Sequence, residues 1–280
     1  MLETSKETLC FVGSGGVAIH LSVALRDAGH EVVGVYSRCL HHARSLTDKL
    51  GLPAGCASDN LATLPAASVY ILSVKDDALP DVVRSLATRS DKAHETAGEP
   101  ALYVHTAGSI PLEALAALDG QKAVLYPLQT LSKQRPVDCR HRLPLFVEGS
   151  SELALSRVWA LAESISDTVC RADSAQRALL HLSAVFACNF VNHCYDMAFG
   201  LLREAHVDPS CLLPLIDETA AKLHVLSPHE AQTGPAVRND RTVMQRHLEA
   251  LSSMPDMQRI YGAMSEDIVR AFATPGAKDA

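Results

Sequence analysis

The chain has 280 residues, enough for two domains of ordinary size, and its 48% hydrophobic, 20% charged composition builds a core without help from disulfides or metals. A formal net charge of -7, with no basic arm or stripe, argues against a nucleic-acid backbone as partner. Eight scattered cysteines without zinc spacing, no bilayer-long apolar run and a polar start, MLETSKETL, lead us to expect a cytoplasmic protein with no metal and no membrane contact.

From residue 9 to about 148, short apolar runs alternate with amphipathic stretches, the rhythm of a mostly parallel sheet with crossover helices. LCFV (9–12), EVVGVY (31–36), SVYILSV (68–74), ALYVHT (101–106) and KAVLYPL (122–128) read as strands, and LPLFVEG (143–149) adds a last one. Helices are expected over 16–28, 39–50, 78–88 and 111–118, and the polar segment 91–100 reads as a surface loop. After Gly149 the pattern turns helical: SELALSRVWALAESIS is one helix, TVC a possible short strand, and 174–206 a long apolar helix with Asp173 or Ser174 as N-cap and Pro209 beyond its end. Further helices are expected at 209–225, 241–252 and 256–273, with a frayed tail after them. The fold class is thus α/β, with a sheet domain over 1–150 and an all-α domain over 151–280. The apolar load of 174–206 implies a homodimer through the C-terminal helices.

LCFVGSGGVA places an apolar strand directly before Gly13-x-Gly15-x-x-Ala18, with a helix following, which is the context of a dinucleotide-binding Rossmann turn. Gly13 permits the turn, Gly15 lets the backbone approach a pyrophosphate, and small Ala18 lets helix and strand pack. Gly13, Ser14, Gly15, Gly16 and Val17 therefore form the expected phosphate cradle at a helix N-terminus. About 20 residues on, where a carboxylate would hold the ribose hydroxyls of NAD, the chain has Tyr36-Ser37-Arg38. A hydroxyl and a guanidinium suit a 2′-phosphate, so the expected cofactor is NADP, with Ser37 and Arg38 as its contacts. His41 and His42 lie one turn into the next helix and can add to this pocket. Ser73, Val74, His105 and Thr106, at the carboxyl ends of later strands, are placed to border the ribose and nicotinamide; Ser73, Val74 and Thr106 are taken as cofactor contacts. Lys75, Asp76 and Asp77 read as a solvated helix start.

HTAGS (105–109), LYPLQTLS (125–132), FVEGS (146–150), HLSAVFACNFVNH (181–193) and TGPAVRND (233–240) carry a resemblance over nearly the whole chain. The chain resembles Rossmann-like proteins with a C-terminal helical domain of unknown function, a group of candidate NADP oxidoreductases. More distantly its layout looks like ketopantoate reductase, pyrroline-5-carboxylate reductase and the β-hydroxyacid dehydrogenases, the 6-phosphogluconate dehydrogenase type of C-terminal domain. The resemblance implies NADPH, a reduction, and dimerisation through helices. Where several of these reductases place a lysine acid on the long helix, this chain has none.

The polar groups on that helix are His181, Asn189, Asn192 and His193. At 100° per residue His181, Cys188 and Asn192 fall within about 40° of one line and Asn189 about 80° round from His181, so they can border one cleft. Each polar group buried there without a partner would cost about 1–3 kcal/mol, which argues for a ligand as the offset. His181 is the expected acid and Asn189 its companion; Asn192, Thr233 and Arg238 are expected at the substrate, Arg238 holding a carboxylate. Asp240 is the expected cap of the helix after it. Two functions remain open: an NADPH-dependent reductase of a C=O or C=N group in a small, carboxylate-bearing molecule, or a non-catalytic NADP-binding sensor or interaction protein.

Overall fold

The computed structural model describes residues 6–88, 95–96 and 99–273. The chain forms two compact units that divide between Asn189 and Phe190.

The first unit is wound around an eight-stranded sheet. Strand β1, Thr8–Val12, leads into helix α1, Gly16–Asp27. Then come β2, Glu31–Tyr36, and α2, Leu40–Leu50, which stops at Gly51 in the left-handed region at φ +69°, where glycine carries no Cβ penalty. β3, Ala57–Ser58, and β4, Val69–Leu72, follow, then a 3-10 turn, Asp76–Ala78, entering α3, Leu79–Ala87. A small antiparallel pair, β5 (Glu95–Thr96) and β6 (Glu99–Pro100), is what is described of the segment 91–100; the rest of that expected loop lies outside the described residues, as do 274–280 of the expected tail. β7 is Leu102–His105, β8 Gln121–Pro127 and β9 Leu145–Gly149, with a short helix α4, Cys139–Arg142, before β9. Where a helix is expected over 111–118 there is a 3-10 turn, Leu112–Leu115.

The strand order is β10-β9-β8-β7-β4-β1-β2-β3, where β10 is Val169–Arg171, reached through helix α5, Glu152–Ile165. All neighbours are parallel except β8 and β9. Both faces are covered, so successive side chains of β1 enter different cores: Leu9 and Phe11 one, Cys10 and Val12 the other. Each fully buried Leu, Val or Phe contributes about 1.5–3 kcal/mol relative to exposure.

The compact sheet unit reaches past residue 150, because α5 packs Val158, Leu161 and Ile165 into the sheet core and β10 extends the sheet itself. One expected helix is corrected. The single helix over 174–206 is interrupted: α6, Ser174–Ala184, starts from the expected Asp173 cap in a capping box with Gln176, then passes into a π-helical stretch, Val185–Phe190. A π turn widens the helix, so the angular register drawn for a regular α-helix does not hold across it.

The second unit is helical: α7, Val191–Glu204; a 3-10 turn, Pro209–Leu212; α8, Leu213–Lys222; α9, Pro228–Ala231; α10, Arg241–Ala250; and α11, Pro255–Phe272. The helix α9 falls inside the segment 227–240 read as a loop, nucleated by Pro228 at its first position and a Ser227/Glu230 capping box. Asp240 caps α10 as expected, accepting from the Val243 amide at 3.1 Å. Among its described residues only the apolar Ala236 and Leu251 are buried, while Leu213, Leu215, Leu223 and Val225 are exposed. No described helix is long and apolar enough to cross a membrane.

Candidate functional site

The turn after β1 is shaped by its neighbours. Gly13 has φ +123°, and a Cβ there would sit 2.2 Å from the Ser73 carbonyl at the end of β4. Gly16 is held as tightly, since its Cβ would lie 2.1 Å from the Leu131 carbonyl, so the loop after β8 crosses the start of α1. Gly15 differs: a Cβ on it would meet nothing within 4 Å. Gly15 is the N-cap of α1, with no side-chain cap and no acidic residue in the first turn, which leaves the helix's first amides facing open space.

A groove of about 710 Å³ runs from this turn along the carboxyl edge of the sheet, where the strand order reverses between β1 and β4. Of the expected cofactor residues, Gly13, Ser14, Gly15, Ser37, Arg38, Ser73 and Val74 line it together. Ser14 Oγ donates to Ser37 Oγ at 3.1 Å, joining the turn to the end of β2. Thr106 borders Ser73, donating to its Oγ at 3.2 Å; Val17 packs against the core and Gly16 against Leu131. Tyr36-Ser37-Arg38-Cys39 offers no carboxylate at the end of β2, a donor set that fits a ribose 2′-phosphate. Lys75 and Lys133 also line the groove. Sequence reasoning left Lys75 in solvent and passed over Lys133, whose loop lies more than 100 residues from the turn it meets. Among the described residues no group of three or more His, Cys, Asp or Glu side chains could hold a metal ion.

Further along the same edge lies a second set of polar groups. His105 ends β7 fully buried, and its Nδ1 accepts from the Ala107 amide at 3.2 Å. That fixes its proton on Nε2, which has no hydrogen-bond partner of good geometry among the described residues, although the Pro111 carbonyl favours the protonated ring. Burial first, then the nearby Arg177 cation, push its pKa down to about 4, so the ring is neutral at pH 7. Arg177, on α6 and 1% exposed, donates to Glu148 of β9, to the Ile110 carbonyl at 2.6 Å and to Ser174 Oγ at 3.2 Å; its Nε has no hydrogen bond among the described residues. Ser174 Oγ also donates to Glu148 at 2.9 Å and accepts from the Leu112 amide at 3.1 Å. The start of α6 is thereby fastened to the loop after β7. At the loop's outer side Ser109 donates to Asp76, which stays exposed at the start of the 3-10 turn.

One turn above Arg177, His181 is half-buried, and its Nδ1 lies 3.2 Å from the hydroxyl of Tyr126 at the end of β8. The pair exists because residue 108 is glycine: a Cβ there would come within 2.8 Å of both His181 Nδ1 and Tyr126 Cε2. Burial raises the Tyr126 pKa, and the Arg177 charge opposes that rise. Tyr126 escaped sequence reasoning because a tyrosine in an apolar strand reads as core; only its place at the strand's carboxyl end marked it.

The other expected residues stand differently. Asn189 is exposed in the π turn, and Asn192 on α7 is exposed, so the burial cost that argued for a ligand beside them does not arise. Thr233 and Arg238 are exposed in the loop between α9 and α10, whose backbone turns through positive φ at Gly234 and Asn239. His41 and His42 are exposed on the first turn of α2, with His42 lining the groove.

Residues 2–130 match the Rossmann-like domain family, and residues 143–268 match a domain of unknown function, DUF2520. No curated protein matches the chain. A solved structure from Bacteroides fragilis, described as a candidate NADP oxidoreductase, is 39% identical over 96% of this chain and 100% of its own, with a TM-score of 0.87. A Thermotoga maritima protein is 21% identical, covering 94% of this chain and 98% of its own at a TM-score of 0.66. A pyrroline-5-carboxylate reductase from Coxiella burnetii shares the fold at 14% identity, covering 96% and 98% at a TM-score of 0.55. With a Rossmann turn, a groove at the sheet's switch point and a relative matched over its whole length, the chain belongs to the oxidoreductase-like family that joins a Rossmann-like domain to a DUF2520 domain.

Proposed function

We propose that the protein is an NADPH-dependent reductase of a C=O or C=N group in a small metabolite. The observation that carries this reading is that the Tyr126–His181 pair stands on the same carboxyl edge as the groove lined by Gly15 and Arg38. A bound nicotinamide cofactor would supply the hydride. Gly13, Ser14 and Gly15 with the open start of α1 would hold its pyrophosphate, Ser37 and Arg38 the adenosine end, and Ser73, Val74 and Thr106 the nicotinamide end.

The chain's own share is the proton. With Tyr126 Oη donating to His181 Nδ1, the imidazole carries its hydrogen on Nε2, directed to a partner other than Tyr126. From there Nε2–H can bond the substrate oxygen or nitrogen and, once the ring is protonated, pass it a proton. Asn189 keeps its proposed orienting role on the sequence reading alone, as do Asn192, Thr233 and Arg238 at the substrate.

We also propose that a second copy of the chain covers the exposed leucines and valines of the second unit, because so much apolar surface with so little buried core is unusual for a free monomer.

Calorimetric titration tests the cofactor: NADPH should bind at least about tenfold tighter than NADH, roughly 1.4 kcal/mol, and equal affinity would remove Arg38 from the argument. With a panel of 2-keto acids and cyclic imines, His181→Ala should lower NADPH consumption by about a hundredfold while NADPH affinity and melting temperature stay nearly unchanged. NADPH binding with no consumption on any member of the panel would favour a sensor.

A further inference from the structure

The loop after β8 is built to lie across the nucleotide turn. Leu131 presses its carbonyl onto Gly16, and the buried His20 of α1 reaches the Arg135 carbonyl with Nε2 at 3.1 Å and the Gly16 carbonyl with Nδ1 at 2.8 Å. These contacts hold residues 131–135 against the start of α1 and bring Lys133 to the groove.

Beside the groove, between α1 and α2, is a recess of about 200 Å³ lined by Ser14, His41, His42, Ser45, Lys49 and Lys133 over an apolar floor. Ser14, His42 and Lys133 line both spaces. No carboxylate lines the recess, although acids outnumber Lys and Arg by 32 to 25 in the chain. Neither Lys49 nor Lys133 forms an ion pair among the described residues. Water takes about 30 Å³ per molecule in the liquid, so the recess has room for a phosphoryl group and its first waters. Two ammonium groups, two imidazoles and the Ser45 hydroxyl line it, donors for a tetrahedral dianion rather than for a neutral ribose, while Ser14 gives its hydrogen to Ser37. Its opening at Ser14, hydrogen-bonded to Ser37, puts it beside the end of β2.

We propose that this recess, closed by Lys133 from the loop after β8, takes the 2′-phosphate of NADP(H). The assignment rests on the cofactor reading above and changes its detail: Lys133, with Lys49, His41 and His42, binds the phosphate, and Arg38 is left free to lie over the adenine.

Titration of the full chain and of Lys133→Met with NADPH, NADH, 2′,5′-ADP and 5′-AMP tests it. Lys133 is exposed, so the variant should melt with the wild type; Lys49→Met is the second variant, expected to act in the same direction. Lys133→Met should weaken NADPH and 2′,5′-ADP by about tenfold while NADH and 5′-AMP stay within about twofold, because only the first two carry the 2′-phosphate. Equal weakening of NADPH and NADH would place Lys133 on the shared pyrophosphate and overturn the proposal, as would no change in any of the four. Inorganic phosphate that binds in a Lys133-dependent way alongside NADPH, rather than in competition with it, would make the recess an independent anion site and also overturn it. A wild-type chain that binds neither NADPH nor NADH sinks the cofactor reading itself, a result seen before any variant is made.

Discussion

The two units of this chain solve burial in different ways. In the first, both faces of the sheet are covered and two apolar clusters hold fully buried side chains from every long strand. In the second, the described apolar residues include only two buried ones, while Leu215 and Val225 are 63% and 82% exposed. A sheet that places consecutive residues on opposite cores can carry ionisable groups at its edge, because the surrounding packing fixes them. Helices with open apolar faces place their stability in whatever covers them. In the proposals above, the first unit carries the cofactor chemistry and the second the contact with another copy.

Arg177 tests the first half of that contrast most severely. Arg177→Met leaves the Glu148 carboxylate without its buried partner and should cost about 3–5 kcal/mol. At about 2–4 °C per kcal/mol for a unit of this size, a melt should fall by roughly 6–20 °C. A change below about 1 kcal/mol would mean that the loop after β7 is held by something other than this cluster.

His105 sharpens the same point through pH. Its folded pKa, about 4, lies below the ordinary 6.5, so between these values the unfolded chain binds the extra proton and the native one does not. Stability from this group is therefore full above about pH 6.5 and is lost as pH falls toward 4, by at most about 3 kcal/mol. His105→Gln, compared with the wild type by urea unfolding at pH 7 and pH 4.5, should show a flatter dependence; an identical slope would acquit His105.

The smallest change in fold stability should come from the second unit. Leu215→Asp with Val225→Asp should alter the subunit's own stability by no more than about 0.5 kcal/mol, since both residues are exposed in the chain. If a second copy covers them, light scattering should give twice the 30.0 kDa chain mass for the wild type and a single chain mass for the variant. A wild type that is already monomeric at micromolar concentration breaks the comparison on this side.

The strands and glycine turn of the first unit were legible because their signals are local: alternation within five residues and a strand-turn-helix order. What escaped depends on distance along the chain. Helical periodicity in α5 identifies a helix but not that it packs on the sheet. Val185–Phe190 contains no proline or glycine to betray a π turn. His181 was singled out for its polarity, yet its partner Tyr126 lies 55 residues away and its place depends on the missing Cβ at Gly108. Lys133 reaches the nucleotide turn through a loop anchored at Arg135 by His20, a contact across 115 residues.

The three glycines of the nucleotide turn also divide by what keeps them glycine. Gly13 and Gly16 are required by the chain, since a methyl group on either would strike a carbonyl oxygen. Gly15 is not: its φ of -76° suits any residue, and a methyl group would enter empty space. As the N-cap of α1 it leaves the first amides of the helix without a side-chain cap. The space a Cβ would take there is open to the proposed cofactor, whose pyrophosphate could come closer to the backbone than a methyl group would permit.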